Sequence, residues 1–416
     1  DLGEDTGKLL KDLQQEHEAA KQLIEEPVVP VEQNENSLVK FINTMIIDAQ
    51  TKGASDIHIE THPGDRKVKV RFRKDGVLSP YIELPPSYRH ALVARIKVMC
   101  ELDISEKRKP QDGKIDFSKF SPSHKLELRV ATIPTTAGLE DVVMRLLASA
   151  KPIPMDKLGL RPITLTRLQD AVSRPYGMVL CVGPTGSGKT TTLHSVLGYL
   201  NTPEKKIWTA EDPVEISQPD LRQVQVNAKI DWTFAKALRS FLRADPDVIM
   251  VGEIRDHETA QIAIEASLTG HMVLSTLHTN SAAETVIRLL DMGMDPFNFA
   301  DSLLAVLAQR LLRRMCPDCR VESDASEEKI NELLTDFLQI YPADIRPSRD
   351  TVLADWIDRY GVKGKLKHYH APGCTKCSGS GLRGRVGVHE LMVVSKEIRT
   401  LIQTKARPEE LLREGL

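Results

Sequence analysis

VLCVGPTGSGKTTTLHSVLGYL, residues 179–200, runs from an apolar stretch into a glycine-rich loop and then into an amphipathic segment. Residues 183–190 fit G-x-x-x-x-G-K-[ST], in the strand, loop and helix order that a phosphate-binding loop requires. Gly183, Gly186 and Gly188, with Pro184, Thr185 and Ser187 between them, let the backbone curl so that successive N–H groups and a helix N-terminus point at phosphates. Lys189 is placed to reach the β- and γ-phosphates, and the Thr190 hydroxyl to ligate Mg²⁺. The stretch reads as a nucleotide site.

Such a site needs a second acidic element on a neighbouring strand of a parallel sheet. PDVIMVGEIRD, residues 246–256, supplies it: the apolar run Val248–Val251 ends in Gly252-Glu253. Gly252 stands where an Asp is usual, so Glu253 is left to orient Mg²⁺ or its waters. Between the two elements lies WTAEDPVEI, residues 208–216, in which Glu211, Asp212 and Glu215 follow a strand-like KIWTA. One of these carboxylates is placed to orient or deprotonate the attacking water, and the sequence leaves open which. TGHMVLSTLHTN, residues 269–280, is another short apolar run bracketed by His271 and His278, and His278, at the strand end, is placed to sense the γ-phosphate.

Far downstream, Cys316 and Cys319 (CPDCR) and Cys374 and Cys377 (GCTKC) make Cys-x₂-Cys twice, with 54 residues between the pairs. Four thiolates suit a closed tetrahedral Zn²⁺, and with no His or carboxylate to complete an open site the metal is expected to be structural. The intervening SEEKINELLTDFLQI predicts a helix with Ile330, Leu333, Leu334, Phe337 and Leu338 on one stripe, a folded excursion hanging from a zinc staple. Cys100 and Cys181 lie in apolar surroundings and read as core.

Upstream, residues 1–36 carry ten acids against Lys8, Lys11 and Lys21 and read as a solvated helix followed by the linker EEPVVPVEQNEN. From Ser37, Leu38, Ile42, Met45, Ile46 and Ala49 recur at helical spacing and open a small α+β domain. In VKVRFRKDG, residues 68–76, Val68, Val70 and Phe72 alternate with Lys69, Arg71 and Arg73 before an Asp75-Gly76 turn. A helix through Leu92, Ile96 and Met99 and a strand KLELRVATIP carry the domain to about Arg145, and KPIPMDKLGLRPI, residues 151–163, reads as an interdomain linker.

At 416 residues, two or three domains are expected. A balance of 56 Lys+Arg against 58 Asp+Glu gives a net charge of −2 and no basic excess for nucleic acid. No run of 18 apolar residues and no signal-like N-terminus occur, so the chain reads as cytoplasmic. It starts at Asp1 and reads as a fragment with an upstream domain missing. A GTPase would show Asn-Lys-x-Asp, which is absent; a helicase-type translocase, the alternative reading, would show a basic, aromatic-studded channel, and aromatics are 5% here.

GPTGSGKTTTL, EDPVE, RADPDVIMVGEIRD and TGHMVLSTLHTN, in that order, resemble the Walker A, acidic, Walker B and histidine boxes of the secretion ATPases of type II secretion and type IV pilus assembly. SDIHIE, PQDGK and LRVATIPT extend the likeness over residues 40–416. The resemblance implies an α/β chain. It implies that residues 37–150 are a smaller N-terminal α+β, PAS-like domain and 164–315 a RecA-like ATPase core, with 316–380 the tetracysteine insertion and 381–416 a helical C-terminal part of the ATPase domain. It implies an ATP-hydrolysing homohexamer, peripheral at the cytoplasmic side of the inner membrane, working on a membrane platform protein and the cytoplasmic parts of a secretion or pilus machine, with no nucleic acid. Arg129 and Arg145 match the family's arginines that approach the nucleotide phosphates, with Arg239 and Arg255 as weaker candidates. Lys114, where Arg is common, and Asp141, where a basic residue is frequent, depart from the pattern. The tetracysteine element is typical of assembly and secretion members and is lacking in retraction members.

Overall fold

The computed structural model describes residues 31–147, 152–341, 343–377 and 379–415. The chain divides into two compact units, residues 1–150 and 151–416.

The first unit starts with a helix, Val31–Thr51, and adds β1 (Asp56–Glu60), β2 (Val68–Lys74), β3 (Val77–Leu84), a helix Arg89–Met99, β4 (Gln111–Asp116), β5 (Glu127–Pro134) and β6 (Glu140–Leu147). The strands form an antiparallel sheet in the order β3-β2-β1-β6-β5-β4. Alternation works as expected: Val68, Val70 and Phe72 are buried and pack with Ile42, Met45 and Ile46 of the first helix and Ile96 of the second. Asp75 and Gly76 both take positive φ, 49° and 83°, the backbone that a tight two-residue hairpin demands. The stretch expected to be linker up to Asn36 differs in one respect: the backbone is already helical from Val31, because Val31–Asn36 contains no breaker and simply extends the helix whose apolar stripe begins at Leu38. The acidic helix expected before it lies outside the described residues.

The second unit is built on β7 (Gly177–Val182), β8 (Ile207–Glu211), β9 (Arg222–Gln225), β10 (Val248–Val251), β11 (Met272–Leu277), β12 (Leu303–Met315) and β15 (Leu382–Val393), in the order β15-β12-β7-β11-β10-β8-β9. All neighbours are parallel except β12 and β15. A sheet covered on both faces buries its central strands throughout, which is why β7, β10 and β11 read as unbroken apolar runs. One face carries helices Pro162–Val172 and Lys189–Leu200, with Val179, Cys181 and Ile207 beneath them; the other carries Phe234–Phe241, His257–Leu268, Ala282–Asp291 and Lys396–Gln403, with Met178, Leu180 and Ile249 beneath. Within the proline-rich stretch 152–163, Met155 is buried against Leu168, Leu193 and Val196, so that part of it is fastened to this unit.

Between β12 and β15 the chain makes its excursion: β13 (Val321–Asp324), helices Glu327–Gln339 and Arg349–Tyr360, and β14 (Lys367–His370), with β13 and β14 antiparallel. Leu334, Leu338 and Val352 are its core, flanked by Ile330, Phe337 and Trp356. Leu333, expected on the same stripe, is 58% exposed. Two small helices cover only a narrow strip of each other, and Leu334 and Leu338 fill it.

Candidate nucleotide site and metal centre

The phosphate loop leaves β7 at Val182 and closes at Gly188, the αL residue (φ 88°) before the helix that begins at Lys189. Gly183 has φ 149°, and a Cβ there would meet Gln309 O at 2.4 Å, so only glycine lets β12 pass so close beneath the loop. Lys189 Nζ bridges the loop's own carbonyls, donating to Gly183 O at 2.8 Å and Pro184 O at 3.1 Å. Burial pulls the Lys189 ammonium below the ordinary lysine range, a shift that the nearby Cys181 and Glu253 partly reverse. Ser187 Oγ in the loop wall is buried with no hydrogen-bond partner. Pre-curled amides, a partly desolvated cation and an orphaned hydroxyl fit a phosphate chain.

Glu253 follows β10 and is pinned on both oxygens: His278 Nε2 lies 2.8 Å from Oε1 and Arg255 Nε 2.5 Å from Oε2. The histidine after β11 and the glutamate after β10 are thus brought together, as parallel neighbouring strands require. His271, at the start of β11, instead points its Nδ1 at Ala266 O, 2.9 Å away, and does structural work. Arg239 pairs with Glu258 at 2.6 Å on the exposed surface, and Asp256 caps the next helix through Thr259 N at 2.8 Å.

Glu211 ends β8 beside Gly252, whose N–H donates to Ala210 O at 2.8 Å. It is 3% exposed and accepts from Thr209 Oγ1 (2.6 Å) and Gln223 Nε2 (2.9 Å), with His194 Nε2 2.9 Å from its other oxygen. Glu215 is half-buried four residues on.

Two residues of this region escaped sequence reasoning. Gln309 on β12 donates to Ser187 O at 2.7 Å and accepts from Thr192 Oγ1 at 2.8 Å, bracing loop and helix together. Its only signal is a lone amide after the apolar run Leu303–Ala308. His194 gives no sequence signal, since a single histidine in an apolar helix is commonplace.

In the first unit, Arg129 and Arg145 face each other across β5 and β6, and Lys114 lies opposite Arg129 on β4. Arg145 Nε holds the buried Asp56 at 2.9 Å, and Lys114 holds Glu127 at 2.9 Å. Asp141 accepts from Thr61 N at 2.8 Å, a local structural bond.

The antiparallel pairing of β12 with β15 explains how two cysteine pairs so far apart meet. Met315 sits opposite Leu382, and Cys316 N donates to Gly381 O at 2.8 Å. All four sulfurs lie within 4.8 Å of one another; Cys316 to Cys374 is 3.9 Å, Cys319 to Cys377 4.0 Å and Cys374 to Cys377 3.7 Å. A tetrahedron of thiolates at about 2.3 Å from a metal has S···S edges of about 3.8 Å, so the set fits Zn²⁺. Backbone amides support the charge: Cys374 N and Gly381 N donate to Cys377 Sγ at 3.1 and 3.3 Å, and such bonds hold the Cys377 thiol down at about 6. Asp318 clamps the two knuckles through Lys376 (2.6 Å) and Arg383 (2.9 Å), and these cations hold its carboxyl below the usual range. Cys100 and Cys181 are buried, and burial pushes both thiols up to about 12, with Cys181 also donating to Gln309 Oε1 at 3.4 Å.

Residues 31–415 match the family model described as Type II/IV secretion system protein. The chain is 44% identical to the type IV pilus assembly ATPase PilB of Thermus thermophilus over 385 residues, 92% of this chain and 40% of that protein. It is 45% identical over 370 residues to the type II secretion system ATPase E of Vibrio cholerae, covering 89% of this chain and 68% of that protein. The match to PilB therefore spans less than half of that relative's length. Among solved structures, the ATPase DotB of Legionella pneumophila matches with a TM-score of 0.59 at 22% identity, covering 89% of this chain and 85% of that one. The pilus retraction motor PilT with bound ADP matches with a TM-score of 0.56 at 26% identity, covering 88% and 86%. The phosphate loop, the paired Glu253 and His278 and the four gathered cysteines thus sit in a chain that belongs to the type II/IV secretion system protein family.

Proposed function

We propose that this chain is the motor portion of an ATP hydrolase that drives assembly of a type II secretion pseudopilus or extension of a type IV pilus. The observation that carries the reading is the convergence of the phosphate loop, Glu253 with His278, and Glu211 at the ends of adjacent parallel strands. ATP would be held by the backbone N–H groups of the 183–190 loop, Pro184 excepted, and by Lys189, and Thr190 with Glu253 would hold Mg²⁺. The bound metal ion supplies neutralisation of phosphate charge. Glu253 orients the attacking water, and the acidic box, Glu211 or Glu215, accepts its proton. His278 holds Glu253 and reports on the γ-phosphate, and Arg129 and Arg145 bring positive charge to the phosphates. Cys316, Cys319, Cys374 and Cys377 would hold Zn²⁺ as a structural metal, stapling the excursion to the ends of β12 and β15.

The working form is a homohexamer attached peripherally at the cytoplasmic face of the inner membrane, partnered by a platform protein. Among the described residues, no helix is long and apolar enough to cross a membrane. The relatives' names motivate this assignment, and no residue pattern here favours a nucleic-acid translocase. The test is to cross-link and purify the full-length protein from its own cells: a polytopic inner-membrane protein of the secretion or pilus machine should co-purify. Recovery of nucleic acid instead, with turnover stimulated by it, contradicts the reading.

A further inference from the structure

Against the first carboxylate of the acidic box lies a buried histidine that the proposed chemistry does not use. His194 is 0% exposed and lies on the helix that begins at Lys189, five residues after that lysine, on the side facing β8. Ile207, Thr209 and Glu211 alternate toward the same helix, so the last carboxylate of β8 points into the helix–sheet interface.

The hydrogen bonds fix the tautomer of the ring. Gln218 Nε2 lies 2.9 Å from His194 Nδ1 and 2.8 Å from the His194 carbonyl oxygen. A carbonyl oxygen only accepts, so the amide presents its nitrogen to both atoms; Nδ1 accepts and the proton sits on Nε2. That proton is donated to Glu211 Oε2 at 2.9 Å, while Oε1 accepts from Thr209 and Gln223. Gln223 is itself held by Gln218 N (2.9 Å, to Oε1) and Ile216 O (2.8 Å), so the ring of bonds closes. Gln218 holds one ring nitrogen and Glu211 takes the proton of the other, so the ring is fixed with its single N–H aimed at that carboxylate.

We propose that His194 is a positioning residue for hydrolysis: it fixes the Glu211 carboxylate and couples it to the helix that carries the phosphate-gripping Lys189. Lys189 and His194 are parts of one helix, so a shift of that helix on nucleotide binding is passed to the carboxylate through the His194–Glu211 hydrogen bond. The inference rests on the reading of Glu211 as part of the hydrolytic site.

Steady-state ATP turnover by the full chain tests it. His194→Ala lowers kcat by about tenfold or more and leaves KM within about threefold, because the lost contact acts on the chemical step. His194→Gln, whose amide N–H reaches the position of Nε2, restores most of the rate. Glu211→Gln alone also lowers kcat, and adding His194→Ala to it causes no further loss, as expected when one residue acts through the other. Gln218→Leu, which frees the tautomer while leaving the ring in place, lowers kcat without changing KM and decides the matter if His194→Ala does not fold. Wild-type kcat in His194→Ala or Gln218→Leu, or an equal loss from His194→Ala in both backgrounds, overturns the proposal. Wild-type kcat in Glu211→Gln overturns the reading of Glu211 itself, which is a separate result.

Discussion

His278 Nε2 lies 2.8 Å from Glu253 Oε1, so the residue that follows β11 steadies the carboxylate that follows β10. Glu253→Gln keeps the shape and loses the charge. It should bind ATP with little change and hydrolyse it at least about a hundredfold more slowly, whereas His278→Ala should cost about tenfold in kcat, since Arg255 still holds the other oxygen. Nucleotide binding by a fluorescent ATP analogue beside phosphate release separates the two effects. Equal loss of affinity in both variants contradicts the assignment.

Lys189 spans Gly183 O and Pro184 O and is partly desolvated. Lys189→Ala should nearly abolish ATP binding, because loop amides cannot replace a formal charge. The pH dependence stems from the same burial. A lowered ammonium pKa means that the free site sheds its proton below the ordinary lysine range, while phosphate favours the charged form. ATP affinity should therefore weaken as pH rises into that region, with proton uptake on binding. Calorimetry in buffers of differing ionisation heat reads the uptake directly, and its absence across the alkaline range contradicts the account.

Arg129 and Arg145 stand opposite each other on β5 and β6, a like-charge pair that should destabilise the sheet slightly. Arg145 also neutralises the buried Asp56, so removing it has a structural cost. Arg129→Ala is the cleaner probe: it should leave the melting temperature unchanged or slightly raised while lowering turnover about tenfold or more, with ATP affinity little changed. Unchanged turnover would reduce Arg129 to an ordinary polar-face residue.

The purified chain should carry about one zinc. Replacing Cys374 and Cys377 with Ser should raise amide exchange across 310–390 and leave the phosphate loop protected, because metal binding there is local folding energy. Within the excursion, Leu334→Ala should cost about 2–4 kcal/mol, confined to the two helices packed around Leu338 and Trp356. Metal analysis with four freely reactive thiols in the folded protein would contradict the staple.

The parallel sheet was legible because its pattern is local: the loop at 183–190, the apolar run before Glu253 and the run before His278 each declare a strand together with the candidate residue at its end. The cysteine pairs announced a metal but not how they meet, since the pairing of β12 with β15 is non-local and neither strand alternates cleanly. Leu333 looked like core because periodicity cannot say how wide a covering surface is. Gln309 and His194 act through partners more than a hundred and nearly twenty residues away, respectively, and only the folded sheet brings those partners within reach.

Hydrolysis of ATP at the 183–190 loop is the activity on which the proposed function stands or falls. The most direct measurement is Mg²⁺-dependent phosphate release by the purified full chain and by Lys189→Ala, at matched oligomeric state. Sustained turnover in the wild type that disappears in the variant is the expected result. No release in any oligomeric state, or equal release from both proteins, would contradict it.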